Sequence, residues 1–189
     1  MSGKLLIFSA PSGSGKTTLV NHLLQNIPTL GFSISATTRK PREDKELNGK
    51  DYYFYSQETF EAKIANHEFA EWEEVYKGTY YGTLKSEIDS LWAEGKDVVF
   101  DVDVIGGLKL KKTYGEKALA VYVDIPDFED LEARLRRRAT ESEEKIQQRL
   151  AKARSEREYR SQFDTILMNA NLEISLKETL ELATNFLKK

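Results

Sequence analysis

Leu5–Thr18 reads LLIFSAPSGSGKTT. Leu5–Phe8 is a short apolar run, and small, turn-forming residues follow it. Gly-Lys-Thr-Thr comes next, and then Leu19, Val20, Leu23 and Leu24 at helical spacing. This order predicts a buried strand, a tight loop and the start of a helix. Gly13 and Gly15 let successive backbone N–H groups turn toward one point with no Cβ in the way. Those N–H groups and the positive end of the helix dipole make a phosphate site. Lys16 can reach β- and γ-phosphates, and the Thr17 hydroxyl can ligate Mg²⁺.

The pattern is that of a P-loop, with Ala10 where glycine is usual. Ala10, Pro11, Ser12, Gly13, Ser14, Gly15, Lys16, Thr17 and Thr18 form the predicted ATP-phosphate cradle. Alanine does not readily take positive φ, so the entry to the turn must stay in ordinary backbone space. The alternative is a glycine-rich turn before an ordinary helix. Strand, loop and helix together match the context that the motif requires.

Outward from this stretch, composition sets the bounds. The chain has 189 residues, 40% hydrophobic and 31% charged, with a net charge of −3 and no cysteine. That length fits one domain with sub-regions or two small ones. The acidic balance argues against a protein that coats nucleic acid. Disulfides and thiolate metal sites are excluded, and a reducing compartment is compatible. Met1–Lys4 runs straight into the first strand, which predicts no signal peptide, and no apolar run approaches the ~20 residues of a membrane span. The expectation is a soluble cytoplasmic protein.

After the P-loop helix, which Pro28 and Gly31 are expected to stop, Phe32–Thr38 is rich in β-formers and small hydroxyls. Tyr52–Tyr55 reads as a strand, and Ser56 as the cap of a helix carrying Phe60 and Ile64. Ala70–Tyr76 reads as a strand followed by a Gly- and Tyr-rich turn, KGTYYGT. Leu84, Ile88, Leu91 and Trp92 give a helical stripe closed by Gly95. Val98–Asp103 is an apolar strand ending in acids before Gly106-Gly107, and Ala118–Ile125 is the next buried strand. Asp127 and Asp130 mark a helix start. Thr140 and Glu143 match a capping box opening a second helix to about Arg160. Phe163–Asn169 is a last strand and Leu172–Leu187 an amphipathic helix. Strands and helices alternate at both ends of the chain, which predicts a parallel sheet flanked by helices. The closer-spaced middle, about 33–83, predicts an inserted α+β lobe.

Two clusters narrow the chemistry. Ser35, Arg39, Arg42 and Tyr52 suit a phosphate: guanidinium groups offer paired donors, and hydroxyls fill the remaining lone pairs. A solvated basic turn is the plain alternative. Glu71 lies in an apolar and aromatic run, where a carboxylate needs donors if buried. Guanine offers N1–H and an N2 amine on one edge, and adenine has no matching pair, so a buried acid would favour guanine. An exposed strand edge is the alternative for Glu71. Arg134 and Arg138 are one turn apart and share a helix face, and Arg149 of the next helix could converge with them. An ordinary solvated arginine run remains possible there. His22 and His67 receive no role.

With the P-loop, the stretches SATTRKPR, NGKDYYF, EFAEW, YYGT, DVD and RLRRRATESEEKIQQRL resemble the guanylate kinase family along nearly the whole chain, in the family's order. The resemblance implies one P-loop NTPase-type α/β domain over 1–189. Its core would be 1–32, 84–126 and 161–189, with a GMP-binding lobe over 33–83 and a helical lid over 127–160. It implies transfer of the γ-phosphoryl group of ATP to GMP, with Mg²⁺. Ser35, Arg39, Arg42, Tyr52 and Tyr81 would hold the GMP phosphate, and Glu71, Thr83 and Asp103 would read guanine. Asp101, counted with the GMP-binding set, would act on Mg²⁺ through water or orient an arginine. Lys16, Arg39, Arg134, Arg138 and Arg149 would be the catalytic cations, and Asn169 would lie near the adenine of ATP. Ile105 stands where the family often has Gln, so any polar contact of that Gln is missing. A peptide-binding scaffold domain and a sugar-phosphate kinase are the competing readings. Intact Gly15-Lys16-Thr17 argues against the first, and Glu71 with Thr83 and Asp103 against the second.

Overall fold

A computed structural model describes residues 3–42, 46–137 and 142–188. The first strand, β1 (Leu5–Ser9), leads through the glycine loop into α1 (Lys16–Asn26). β2 (Leu30–Phe32), β7 (Asp97–Val102), β8 (Ala118–Asp124) and β9 (Thr165–Met168) join β1 in a five-stranded sheet, ordered β2-β7-β1-β8-β9. Every pairing in it is parallel. Such a sheet is buried on both faces, and β1 shows why its run is continuously apolar. Leu6 and Phe8 point into a core with Leu19, Val20 and Leu23 of α1 and with the terminal helix α7 (Leu172–Lys188). Leu5 and Ile7 point the other way, into a core with Ile88 of α3 (Lys85–Ala93) and Leu110 of α4 (Val104–Tyr114). The period of two thus serves two helical layers at once.

A second sheet contains β3 (Ser35–Thr37), β4 (Tyr53–Phe54), β5 (Phe69–Tyr76) and β6 (Thr79–Leu84), ordered β4-β3-β6-β5. Helix α2 (Gln57–Ala65) buries Phe60 against Ala36, Phe69 and Leu84 of this sheet. Ser56 caps α2 as expected, its hydroxyl accepting from the Thr59 N–H at 3.2 Å. Two further helices, α5 (Phe128–Arg137) and α6 (Glu143–Arg157), pack on each other through Leu131, Leu135, Ile146 and Leu150.

Several local expectations are corrected. Gly31 does not stop α1; it lies in β2, and Ile27 ends the helix. The β-rich run Phe32–Thr38 is divided between the two sheets at Ser33–Ile34, because its two halves find different partners. Only Lys77–Gly78 of KGTYYGT turns, and Tyr80, Tyr81 and Thr83 lie on β6. Gly106 and Gly107, which the sequence reading assigned to no element, are buried inside α4. Ser142, not Thr140, caps α6, and Thr140 lies outside the described residues. Among the described residues no helix is long and apolar enough to cross a membrane.

Candidate active site

The loop between β1 and α1 folds on itself, with the Ser14 N–H donating to the Pro11 carbonyl at 3.2 Å. Gly13 and Gly15 take φ of +99° and +92°. An added Cβ on Gly15 would meet the Asn169 amide nitrogen at 2.5 Å, so glycine is required there by both torsion and space. Ala10 is buried and has no positive φ, as expected for its entry position. The Lys16 ammonium lies 2.6 Å from Asp101 Oδ1 and donates to the Val102 carbonyl at 2.7 Å. Thr17 Oγ1 donates to Asp101 Oδ2 at 2.7 Å. The parallel register, Phe8 opposite Asp101, carries the acid to the mouth of the loop.

The loop opens into a cavity of about 280 Å³. Residues Ala10 to Thr18 line one side. Ser35, Tyr52, Glu71 and Tyr81 face it from the second sheet, and Asp101 and Asp103 lie between. Strand register explains the second group. Ser35 pairs with Thr83 across β3 and β6, and Thr83 with Glu71 across β6 and β5, so three polar side chains fall in one row. Glu71 is buried, and its Oε1 accepts from the Thr83 hydroxyl at 2.7 Å. Its Oε2 is buried with no partner. Burial pushes the Glu71 carboxyl up to about 8; the Thr83 hydrogen bond opposes that rise and the nearby Asp103 charge adds to it. Burial also raises the Tyr52 phenol, to about 12.

Asp103 has a second task that the sequence reading did not assign. Its Oδ1 caps α4, accepting from the Ile105 and Gly106 N–H groups, both at 3.0 Å. Gly106 lies so close to Glu71 that a Cβ there would come within 2.6 Å of Oε2. Glycine at this position is therefore the condition for seating the acid.

The arginines divide. Arg39 donates from both terminal nitrogens to Glu46, at 2.7 and 3.0 Å, and from Nε to the Tyr81 hydroxyl at 3.2 Å. Its guanidinium lies 5.2 Å from the Tyr52 ring centre and 5.6 Å from that of Phe54. Arg42 is exposed, with its guanidinium 3.9 Å from Glu46. Arg134 donates to the carbonyls of Ser14 at 3.3 Å and Asn169 at 3.2 Å, behind the loop. The Asn169 side chain reaches the same Ser14 carbonyl at 2.7 Å. Arg39, Arg42, Thr83, Arg134 and Asn169 are not among the residues lining the cavity. Arg149 does line it, and donates to the Ser12 hydroxyl at 2.9 Å. Arg138 lies outside the described residues.

Sequence reasoning missed Glu46, Tyr76, Lys152 and Glu156. The last three line the cavity. Positions 149, 152 and 156 have the three- and four-residue spacing of one helix face, so Arg149 could have led to the other two. Glu46 sits in a polar loop with no periodicity, and nothing there marks it as the partner of Arg39.

Comparison with known proteins agrees with this geometry. The guanylate kinase family profile matches residues 2–185. The guanylate kinase of Bacteroides thetaiotaomicron is 50% identical over 189 residues, spanning 100% of this chain and 92% of that protein. That of Porphyromonas gingivalis is 46% identical, spanning 98% of this chain and 99% of its own length. The crystal structure of guanylate kinase from Anaplasma phagocytophilum superposes with a TM-score of 0.80 at 26% identity, covering 100% of this chain and 88% of that one. TT1252 from Thermus thermophilus, at 15% identity and a TM-score of 0.57, is similar in fold alone. With the profile spanning almost every residue and relatives near half identical along their full length, the chain belongs to the guanylate kinase family.

Proposed function

We propose that this chain is a cytoplasmic nucleoside monophosphate kinase that moves the γ-phosphoryl group of ATP to GMP, giving ADP and GDP. One observation carries the reading: the Lys16–Thr17 loop and the buried, half-satisfied Glu71 carboxyl open into one cavity. The first suits a triphosphate. The second suits a base edge with adjacent N–H donors, and guanine has them. In this reading β3–β6 with α2 form the GMP-binding lobe, and α5 with α6 the lid.

The barrier to be met is electrostatic. The attacking GMP oxygen is already anionic at neutral pH, so no strong base is required. Two like unit charges ~4 Å apart repel by ~4 kcal/mol at an effective dielectric of ~20. Lys16 and Arg149, fixed at the cavity wall, offset that repulsion and stabilise charge on the transferring group. Ser35, Tyr52 and Tyr81 offer hydroxyls to the GMP phosphate from the opposite wall. Arg39 bonds the Tyr81 hydroxyl, and Arg42 lies near the same Glu46 that Arg39 holds. Tyr81, the Lys40 carbonyl and Glu46 hold four of the five N–H donors of Arg39, so it serves the phosphate fully only by exchanging Glu46 for it. Arg134 and Asn169 brace the loop through the Ser14 carbonyl. Arg138 is retained as a lid cation by family resemblance.

The site fits a hard cation arriving with ATP. Thr17 Oγ1 and Asp101 Oδ2 are paired oxygens at the cavity wall. Mg²⁺ typically takes only one or two protein oxygens and fills its other positions with water and phosphate. Thr17 would hold the ion with Asp101 behind it, and the ion would neutralise phosphate charge.

The test is a coupled assay with ATP and GMP, AMP, dTMP or UMP. Turnover with GMP far above the other three is expected. Comparable rates on all four would remove the role given to Glu71.

A further inference from the structure

The cavity has a cation that neither the P-loop nor the lid arginines account for. Lys152 of α6 lines it, beside Arg149 and facing the glycine loop. Two groups hold its ammonium in place. Glu156, one turn along the same helix, brings Oε1 to 3.4 Å of Lys152 Nζ. The ring of Tyr76, at the end of β5, lies with its centre 4.9 Å from the same nitrogen. Tyr76 and Glu156 line the cavity too.

Glu156 is an unusual neighbour for a phosphate site. Its side chain is only 11% exposed, and burial raises its carboxyl above the ordinary range, with Lys152 working against that rise. It also feels the charges of Asp103 and Lys16, which line the same cavity. An acid there would repel substrate phosphates if it stood alone. Paired with Lys152, it becomes the anchor of a cation whose other side rests on an aromatic face. Lys152 is partly exposed, at 27%, and retains donors that neither partner takes up.

We infer that Lys152 is an additional phosphate-binding cation of this kinase, positioned by Glu156 and by the Tyr76 ring. The inference rests on the kinase reading above. It differs in naming a residue on α6 that acts together with a residue from the opposite lobe. Because Tyr76 belongs to β5 and Lys152 to α6, the ammonium also ties the two walls of the cavity together. The lid helix then meets the phosphates with its charge already in place.

Steady-state kinetics with ATP and GMP on the full chain test this, using K152M, K152R, E156Q and the double variant K152M/E156Q. Thermal melting of each checks that it is folded. K152M should lower kcat/KM for GMP by about tenfold or more, and K152R should recover most of the loss. Raising ionic strength should reduce wild-type kcat/KM more steeply than that of K152M, because one charge acting on a polyanion is gone. E156Q should show a smaller loss, and the double variant should be no worse than K152M alone. A folded K152M within about twofold of wild type, with an unchanged salt slope, would overturn the inference while leaving the kinase reading intact. Additive losses in the double variant would overturn the positioning role of Glu156. An inactive wild type would instead overturn the kinase reading itself.

Discussion

Raising the pH from 5 to 9 should destabilise the unliganded protein through one carboxyl group. Glu71 is buried, has one hydrogen bond from Thr83, and has a second oxygen with no partner. Burial raises its pKa from 4.5 to about 8. Between those two values the folded protein keeps a proton that the unfolded chain has released. Stability is therefore fully present below pH 4.5, falls as pH rises, and reaches its floor above about pH 8. A displacement of that size corresponds to roughly 4–5 kcal/mol, a large fraction of the ~5–15 kcal/mol that holds a domain folded. Urea denaturation of wild type and E71Q at pH 5, 7 and 9 isolates the effect, since glutamine keeps the shape of the neutral acid and the other titrations cancel in the difference. The stability advantage of E71Q should grow by about 4 kcal/mol between pH 5 and 9. Saturating GMP should shrink that growth, because guanine N–H donors favour the ionised acid. A difference that stays constant within about 1 kcal/mol across the range would refute the argument from burial.

Lys16→Ala should abolish phosphoryl transfer, by more than about a hundredfold in kcat, while the melting temperature stays near wild type; near-normal turnover in the coupled assay would refute its role. Gly106→Ala would drive a methyl toward Glu71 Oε2 at 2.6 Å. It should cost about 1–3 kcal/mol in urea denaturation and raise KM for GMP more than KM for ATP. Asp124 is buried at the end of β8 and pairs with Arg157 at 3.2 Å and Arg160 at 3.0 Å. Asp124→Asn should therefore destabilise by about 1–3 kcal/mol, the exposure of the arginines keeping the loss below that of a fully buried pair. Hydrogen exchange should speed up at the C-terminal end of α6, and unchanged protection there would count against that anchor.

Much of the frame is legible in the chain because its signals are local. β1 needs apolar residues on both faces, and the loop after it needs glycines and a lysine, within fourteen residues. Ser56 announces α2, and Asp127 the start of α5, where its Oδ1 accepts from the Asp130 N–H at 3.0 Å. The failures share a cause. Gly106-Gly107 signals no element along the chain, because glycine weakens helices. Yet α4 continues through it, since packing against Glu71 outweighs about a kilocalorie of propensity. KGTYYGT reads as a turn because glycine and tyrosine give no alternation, whereas β5 and β3 on either side make it a central strand.

The sequence by itself determined the phosphate loop, the alternation of strands and helices, and the kinship of the whole chain. It also pointed to Lys16, Glu71, Asp101, Asp103 and Arg149 of the cavity, but not to Lys152 or Glu156. What tertiary structure decided is which of those groups meet. Strand register set Glu71 opposite Thr83, twelve residues away. Chain crossing set Lys16 on Asp101. A loop contact gave Arg39 to Glu46 and left Arg42 outside, and docking of α6 brought Lys152 to Tyr76. Local pattern records the torsions and the burial of each segment. Partnership between distant charges depends on where separate segments come to rest, and no period along the chain encodes that.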